Sequence, residues 1–277
     1  MIYFQSLPAM PAAQLVTGRQ VRHTFQRHSH TVFCIGLVER GRRRIDTAAG
    51  TTLVLAGQVF LLNPDEAHVC RDDDDGLQDY RVLCLPQAGL QRLSEHIAER
   101  PQAAPRFAQL HPHSPHLQAT TAACFALLAD PAAERLAQDE ALLHVLACLL
   151  FEETLQPPRP VAVGLQQQAV QRACDFIQDN YRDGLTLEQI AGVACLSPFY
   201  FQRVFVRQTG LSPHEYLLQC RLRHARRLLA GGLPPSMAAV ESGFYDQSHF
   251  NRCFKRVYGL APGEYCRKSG GEAIRGS

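Results

Sequence analysis

The stretch Asp246-Gln-Ser-His-Phe-Asn-Arg-Cys-Phe-Lys-Arg-Val-Tyr-Gly259 decides how this chain is read. Wound as a helix, it places Phe250, Phe254 and Val257 at i, i+4 and i+7 on an apolar side, and Gln247, Ser248, Asn251, Arg252 and Lys255 on the opposite, polar side. Gln, Asn, Ser and Arg are the types that hydrogen-bond base edges, and Lys suits a phosphate. Asp246 is a good N-cap after the Gly243-Phe244-Tyr245 turn, and Gly259 is a good residue to end the helix. The stretch reads as a recognition helix for nucleic acid; taken alone, it also fits an ordinary amphipathic surface helix.

Upstream, the same design occurs once more. Leu185-Thr-Leu-Glu-Gln-Ile190 is a complete helix start, with Thr186 as cap, Gln189 able to return a bond and Leu185 able to staple onto Ile190. After a turn at Cys195-Leu196, Ser197 caps a second helix that has Pro198 at its first position and runs to Gly210. A short helix, a tight turn and a second helix form the geometry that sets the second helix into a major groove. On it, Phe201 and Phe205 are expected in the core. Phe199, Gln202 and Arg203 are expected outside, where Gln202 and Arg203 suit adenine and guanine edges and Phe199 a thymine methyl. Arg207 suits a phosphate. The two units are joined by a helix opened by the capping box Ser212 to Glu215 and running from Pro213 to about Ala230, roughly 25 Å at 1.5 Å per residue. A further helix is expected from Leu165 to Tyr181.

The rest of the chain has another texture. From Val21 to Leu85, short apolar runs alternate with Gly and polar turns: Val32 to Val38, Arg43 to Asp46, Thr51 to Leu55, Val59 to Leu62 and Tyr80 to Leu85. This spacing predicts a small antiparallel barrel or sandwich. His28 and His30, two apart, would share one face of a strand. The Asp72 to Asp75 run fits a hydrated turn. After Pro86 the period becomes helical, at Gly89 to Arg100, Pro115 to about Asp130, and Ala133 to about Leu155. The last of these has a stripe of Leu136, Leu143, Leu146 and Leu149 or Leu150; of this helix and the one before it, one side is expected to pack inward and the exposed remainder to make a dimer seam. Gln156-Pro-Pro-Arg-Pro160 cannot continue a helix and marks a boundary. The expected division is 1–157, a linker 158–165, a helical domain 166–268 and a flexible tail 269–277, giving an α+β, two-domain fold.

Composition agrees with this division. Residues 1–169 carry 14 Lys+Arg against 17 Asp+Glu, whereas residues 170–277 carry 14 against 9, so the positive charge belongs to the C-terminal part. No apolar run approaches the roughly 20 residues needed to span a bilayer, and no membrane partner is expected. Met1 to Ser6 lacks the pattern of a secretion signal, and no element of the fold is assigned to it. The ten cysteines are scattered singly, with Cys148 and Cys174 in apolar surroundings, and read as reduced packed thiols of a cytoplasmic protein rather than disulfides or zinc ligands.

Several strings together resemble the DNA-binding domain of the AraC/XylS family of bacterial transcription regulators: Leu187-Glu-Gln-Ile-Ala191, Ser197 with Phe201, Arg203 and Phe205, Gly210 with Ser212-Pro213 and Tyr216-Leu217, Arg221-Leu222 with Ala225 and Leu228-Leu229, Gly243-Phe244 with Asp246-Gln-Ser, Phe250, Arg252 and Phe254-Lys255, and Pro262 with Tyr265. The upstream part resembles the cupin-type ligand-binding barrel of that family, with Gly57 to His68 similar to the second cupin motif. The resemblance implies a regulator and not an enzyme. It implies binding of double-stranded promoter DNA as a homodimer, response to a small-molecule effector, RNA polymerase as a further partner with activation or repression both open, and no cofactor. By position, Phe199, Gln202, Arg203, Gln247, Ser248, Asn251 and Arg252 match the base-facing surfaces. His28, His30, His68 and Tyr80 are the candidate ligand-binding residues. Val206 replaces a usual Lys. Pro235, Ala238 and Ala239 replace larger residues and predict a short, loosely packed helix, leaving the first unit with more of the specificity. A metal is not expected, because a Glu at the expected distance after His30 is missing and Glu39 lies too far along. The competing reading is a metal-dependent cupin enzyme with a helical appendage, using His28, His30 and His68.

Overall fold

Alternating apolar residues and tight turns organise the described residues of the N-terminal part into eight strands. The computed structural model describes residues 1–7, 10–22, 26–72, 76–160 and 166–272. The strands are β1 (Ile2–Leu7), β2 (Met10–Val21), β3 (Val32–Arg40), β4 (Arg42–Thr47), β5 (Gly50–Leu55), β6 (Val59–Leu62), β7 (Val69–Asp72) and β8 (Gln78–Pro86). Their order is β1-β2-β8-β3-β6 in one sheet and β5-β4-β7 in the other, and the pairings are antiparallel. Side chains of both sheets meet in one core around Val38, Ile45, Val54, Phe60, Leu62, Tyr80 and Val82. Each such fully buried aliphatic or aromatic side chain contributes about 1.5–3 kcal/mol.

Three expectations are corrected here. Met1 to Ser6 is not idle: Ile2–Leu7 forms β1 and pairs with β2, consistent with the β-favouring Ile-Tyr-Phe run. Strands begin well before Val21, and β7 had not been foreseen. His28 and His30 do not lie in a strand, for His28 makes an isolated bridge to His68. Residues 73–75 of the Asp run lie outside the described residues.

The helices that follow are α1 (Gln87–Ala98), α2 (Pro115–Ala129) and α3 (Arg135–Glu152). Ser114 caps α2 by accepting from Leu117 N. The buried residues of α3 include Leu136, Leu142, Val145, Leu146, Leu149 and Leu150, whereas Leu143 is half-buried. Among the described residues no large apolar side chain of α2 or α3 is exposed, and most of the leucine stripe of α3 is turned inward.

The chain divides into Met1–Pro131 with Gln138–Ala162, and Ala132–Ala137 with Val163–Ser277. Residues 161–165 of the expected linker lie outside the described residues. The second unit is helical: α4 (Gln167–Asp179), α5 (Leu187–Ala194), α6 (Pro198–Thr209), α7 (Pro213–Ala230), α8 (Pro235–Glu241), α9 (Gln247–Tyr258) and α10 (Pro262–Glu272). The helix α10 had not been foreseen; it takes in residues 269–272 of the expected tail, and 273–277 lie outside the described residues.

Candidate nucleic-acid interface and ligand pocket

Each of the two reading helices is started by a side-chain cap and held by a pair of phenylalanines. In α6, Ser197 accepts from Tyr200 N, Pro198 opens the helix and Gly210 closes it at φ 74°. Phe201 and Phe205 are fully buried, with ring centroids 5.3 Å apart. In α9, Asp246 accepts from His249 N at 2.7 Å and Gly259 closes the helix at φ 76°. Phe250 and Phe254 are fully buried, with centroids 5.5 Å apart. The helix before α6 carries the capping box foreseen for it, with Thr186 N donating to Gln189 Oε1 at 2.9 Å and Gln189 N donating to Thr186 Oγ1 at 3.2 Å.

The faces left outside are polar. On α9, Gln247, Ser248, Asn251, Arg252 and Lys255 are all exposed, as the helical period predicts. Val257, expected in the core, is 39% exposed; Cys253 takes the buried place instead, so the apolar side is centred on Phe250, Cys253 and Phe254. On α6, Gln202 and Arg203 are half-buried and Arg207 is exposed. Phe199 departs from its expected role. It is 9% exposed, too enclosed to meet a base methyl, and the Arg203 guanidinium carbon lies 5.6 Å from its ring centre. A cation over an aromatic face is attracted by the ring quadrupole, so the Phe199 ring holds the Arg203 guanidinium beside it. The first helix of the second unit is short, as expected, but not loosely packed: Ala238 and Ala239 are buried against Phe244, Phe250 and Phe254. Small residues let α8 approach this ring cluster closely.

The two helix-turn-helix units are joined within this domain by a buried arginine that sequence reasoning missed. Arg221, 4% exposed on α7, donates from Nε to Tyr181 O at 2.6 Å and from Nη2 to Asp183 O at 3.0 Å, fixing the loop after α4. That loop also meets the turn of the second unit. A Cβ on Gly243, which has φ 82°, would lie 2.7 Å from Arg182 Cα. Only glycine fits there without strain.

The N-terminal unit holds a cavity of about 430 Å³ whose lining includes His28, His30, Arg43, His68, Tyr80 and Cys84. The three imidazoles come together although no strand carries them as a pair. His28 Nδ1 lies 2.6 Å from Gln26 O and His68 Nδ1 lies 2.8 Å from Glu66 O. A carbonyl can only accept, so both Nδ1 atoms carry a proton, which in a neutral ring makes Nε2 the acceptor. His28 Nε2 stands 3.2 Å from His30 Nε2, and one ligating atom from each of the three lies within 4.8 Å of the others, near enough to share one divalent ion. Burial, then the neighbouring imidazoles, pushes His30 below its ordinary range. Burial, with His28 and Arg43 adding to it, does the same for His68 against the opposing pull of Glu66. Arg43, 5% exposed, donates to Gln78 Oε1 at 2.9 Å and lies 4.3 Å over the Tyr80 ring. Glu39, the carboxylate considered in the sequence, is engaged elsewhere, with Arg19 at 2.5 Å and Arg81 at 3.2 Å.

A β-sheet unit with a cavity of mixed apolar and polar lining, followed by a helical unit with paired helix-turn-helix elements, defines a DNA-binding regulator of transcription with a ligand-binding domain. Residues 13–146 match the AraC-like ligand binding domain and residues 190–268 match the Helix-turn-helix domain. The chain belongs to the AraC family of transcriptional regulators, which are not enzymes; the metal-enzyme alternative is thereby set aside. It is 27% identical over 246 residues, 83% of this chain and 82% of the other, to the uncharacterised HTH-type transcriptional regulator YbfI of Bacillus subtilis (strain 168). It is 31% identical over 139 residues, 48% of this chain and 46% of the other, to the HTH-type transcriptional regulator MtrA of Neisseria gonorrhoeae. Among solved structures, a DNA-binding transcriptional dual regulator from Escherichia coli K-12 is 29% identical, covering 40% of this chain and 99% of that one, with a TM-score of 0.35.

Proposed function

We propose that this regulator reads promoter DNA with Gln202 and Arg203 of α6 and Gln247, Ser248, Asn251 and Arg252 of α9 at base edges, and with Arg207 and Lys255 at phosphates. The observation that carries this reading is the repeated construction of α6 and α9, in which a side-chain cap and a buried phenylalanine pair leave polar and basic residues outward. A small molecule bound among His28, His30, His68 and Tyr80 would control promoter binding. The apolar walls and few convergent polar groups of the cavity support that assignment. Cytoplasmic location, homodimerisation, activation and contact with RNA polymerase belong to the same proposal and rest on family likeness.

The test is fluorescence anisotropy with the full chain on duplexes selected from random sequence, against unselected duplex of equal length. Specific sites are expected to bind roughly 10³-fold or more tightly than random ones at physiological salt. Equal affinity for both would defeat the specific-reader claim. For the pocket, a thermal-shift screen of small metabolites should yield compounds that raise the melting temperature of the chain but not of His30→Ala, since a ligand selective for the folded state adds to its stability.

A further inference from the structure

Sequence reasoning placed Cys148 among packed thiols, but in the folded chain it is half-exposed between two histidines. His144 and Cys148 are four apart on α3, which brings them to one face of the helix. His116 comes from the first turn of α2. Cys148 Sγ is 3.9 Å from His116 Nε2 and 3.9 Å from His144 Nε2, and one ligating atom from each of the three lies within 4.8 Å of the others.

The frame around them is fixed. Leu117 and Thr121 of α2 and Val145 and Leu149 of α3 are buried. Ser114 Oγ, which caps α2, donates to Glu152 Oε2 at 3.1 Å and ties the start of one helix to the end of the other. Both imidazoles are exposed, so their outer edges can be reached from solvent.

We infer that His116, His144 and Cys148 bind one divalent metal ion of the borderline class, zinc or cobalt, with water in the fourth position. A tetrahedral ion with Zn–S about 2.3 Å and Zn–N about 2.0–2.1 Å requires S···N edges of roughly 3.6 Å. The two S···N separations exceed this by a few tenths of an ångström, and with the two imidazole nitrogens within 4.8 Å of each other, rotation of these two exposed rings would close the site. Thiolate with imidazole selects zinc, cobalt, nickel or copper over the oxygen-seeking calcium and magnesium. Binding replaces the Cys148 S–H bond by a sulfur–metal bond and releases that proton to solvent, with no change in oxidation state. The site is separate from the barrel cavity, and the inference does not depend on what that cavity holds.

Cobalt titration of the reduced, metal-free full chain tests it. One equivalent should produce the near-ultraviolet thiolate-to-cobalt charge-transfer band and the intense visible bands of a four-coordinate ion, both displaced by zinc. Cys148→Ser should abolish the charge-transfer band. His116→Ala and His144→Ala, at exposed positions that keep the fold, should weaken cobalt binding by about tenfold or more, while His96→Ala, exposed on α1, should leave the charge-transfer band unchanged. No cobalt bound, a charge-transfer band that survives Cys148→Ser, or a charge-transfer band lost in His96→Ala would each overturn the assignment.

Discussion

Replacing Gly243 by alanine isolates the joint between the two helix-turn-helix units. The added methyl would stand 2.7 Å from Arg182 Cα and 3.0 Å from Arg182 O, on a backbone with φ 82°. The left-handed conformation costs a β-carbon about 1–2 kcal/mol, and forced overpacking about 1–3 kcal/mol more. Arg182 cannot easily retreat, because the carbonyls on either side of it accept from the buried Arg221 at 2.6 and 3.0 Å. A loss of about 2–5 kcal/mol is expected in the second unit, a large part of the 5–15 kcal/mol typical of a domain. Hydrogen exchange of the full chain reads this locally: amides of α8 and α9 should lose protection by about 30-fold or more. The same chemical change at Gly192 should act in the opposite sense. Gly192 is exposed inside α5 with nothing within 4 Å of a built Cβ, so alanine should stabilise that helix by about 0.8–1 kcal/mol. If Gly243→Ala leaves α8 and α9 as protected as before, the packing argument for the joint is wrong.

Arg203→Ala is expected to cost about 1–3 kcal/mol at a selected site and to relax base preference there, while Lys255→Ala should weaken all duplexes alike and flatten the salt dependence; anisotropy titrations at several salt concentrations separate the two. Asp246→Ala removes the acceptor for His249 N and should destabilise α9 by about 0.5–2 kcal/mol, seen as faster exchange of its first-turn amides. Because His30 and His68 lie below their ordinary range, the folded chain holds fewer protons than the unfolded chain at mildly acid pH. Their contribution is complete above the unfolded value of about 6.5 and is lost as pH falls below it. The N-terminal melting transition should therefore drop on acidification in that range, and less steeply in His30→Gln; a pH-independent transition would contradict the desolvation of His30 and His68.

What could be read in advance was local chemistry. Caps at Thr186, Ser197, Ser212 and Asp246 announced their helices because each signal lies within four residues of the backbone amide it satisfies. The phenylalanine pairs were equally plain from the helical period. How broad a core would be was not plain: periodicity puts Phe199 on the far side of α6 from Phe201, but cannot say that this side is covered too. Val257 failed in the reverse way, with the core stopping short of it. Long-range meetings were invisible. Nothing near Arg221 in the sequence names Tyr181 or Asp183, and His116 is 32 residues from Cys148. His28 and His30 were rightly grouped with His68, but on a mistaken premise, since a bridge between loops rather than a strand face assembles them.

On the proposed reading of DNA by both α6 and α9, the clamp of Arg221 on the α4–α5 loop, with Gly243 seated on the same loop, has a consequence for promoters. Two grips so joined would measure distance as well as sequence. Inserting about half a helical turn, roughly five base pairs, between the two contacted elements would carry one of them to the far side of the duplex. Spacing would then be a heritable part of the recognised signal, as open to selection in a promoter as the bases themselves.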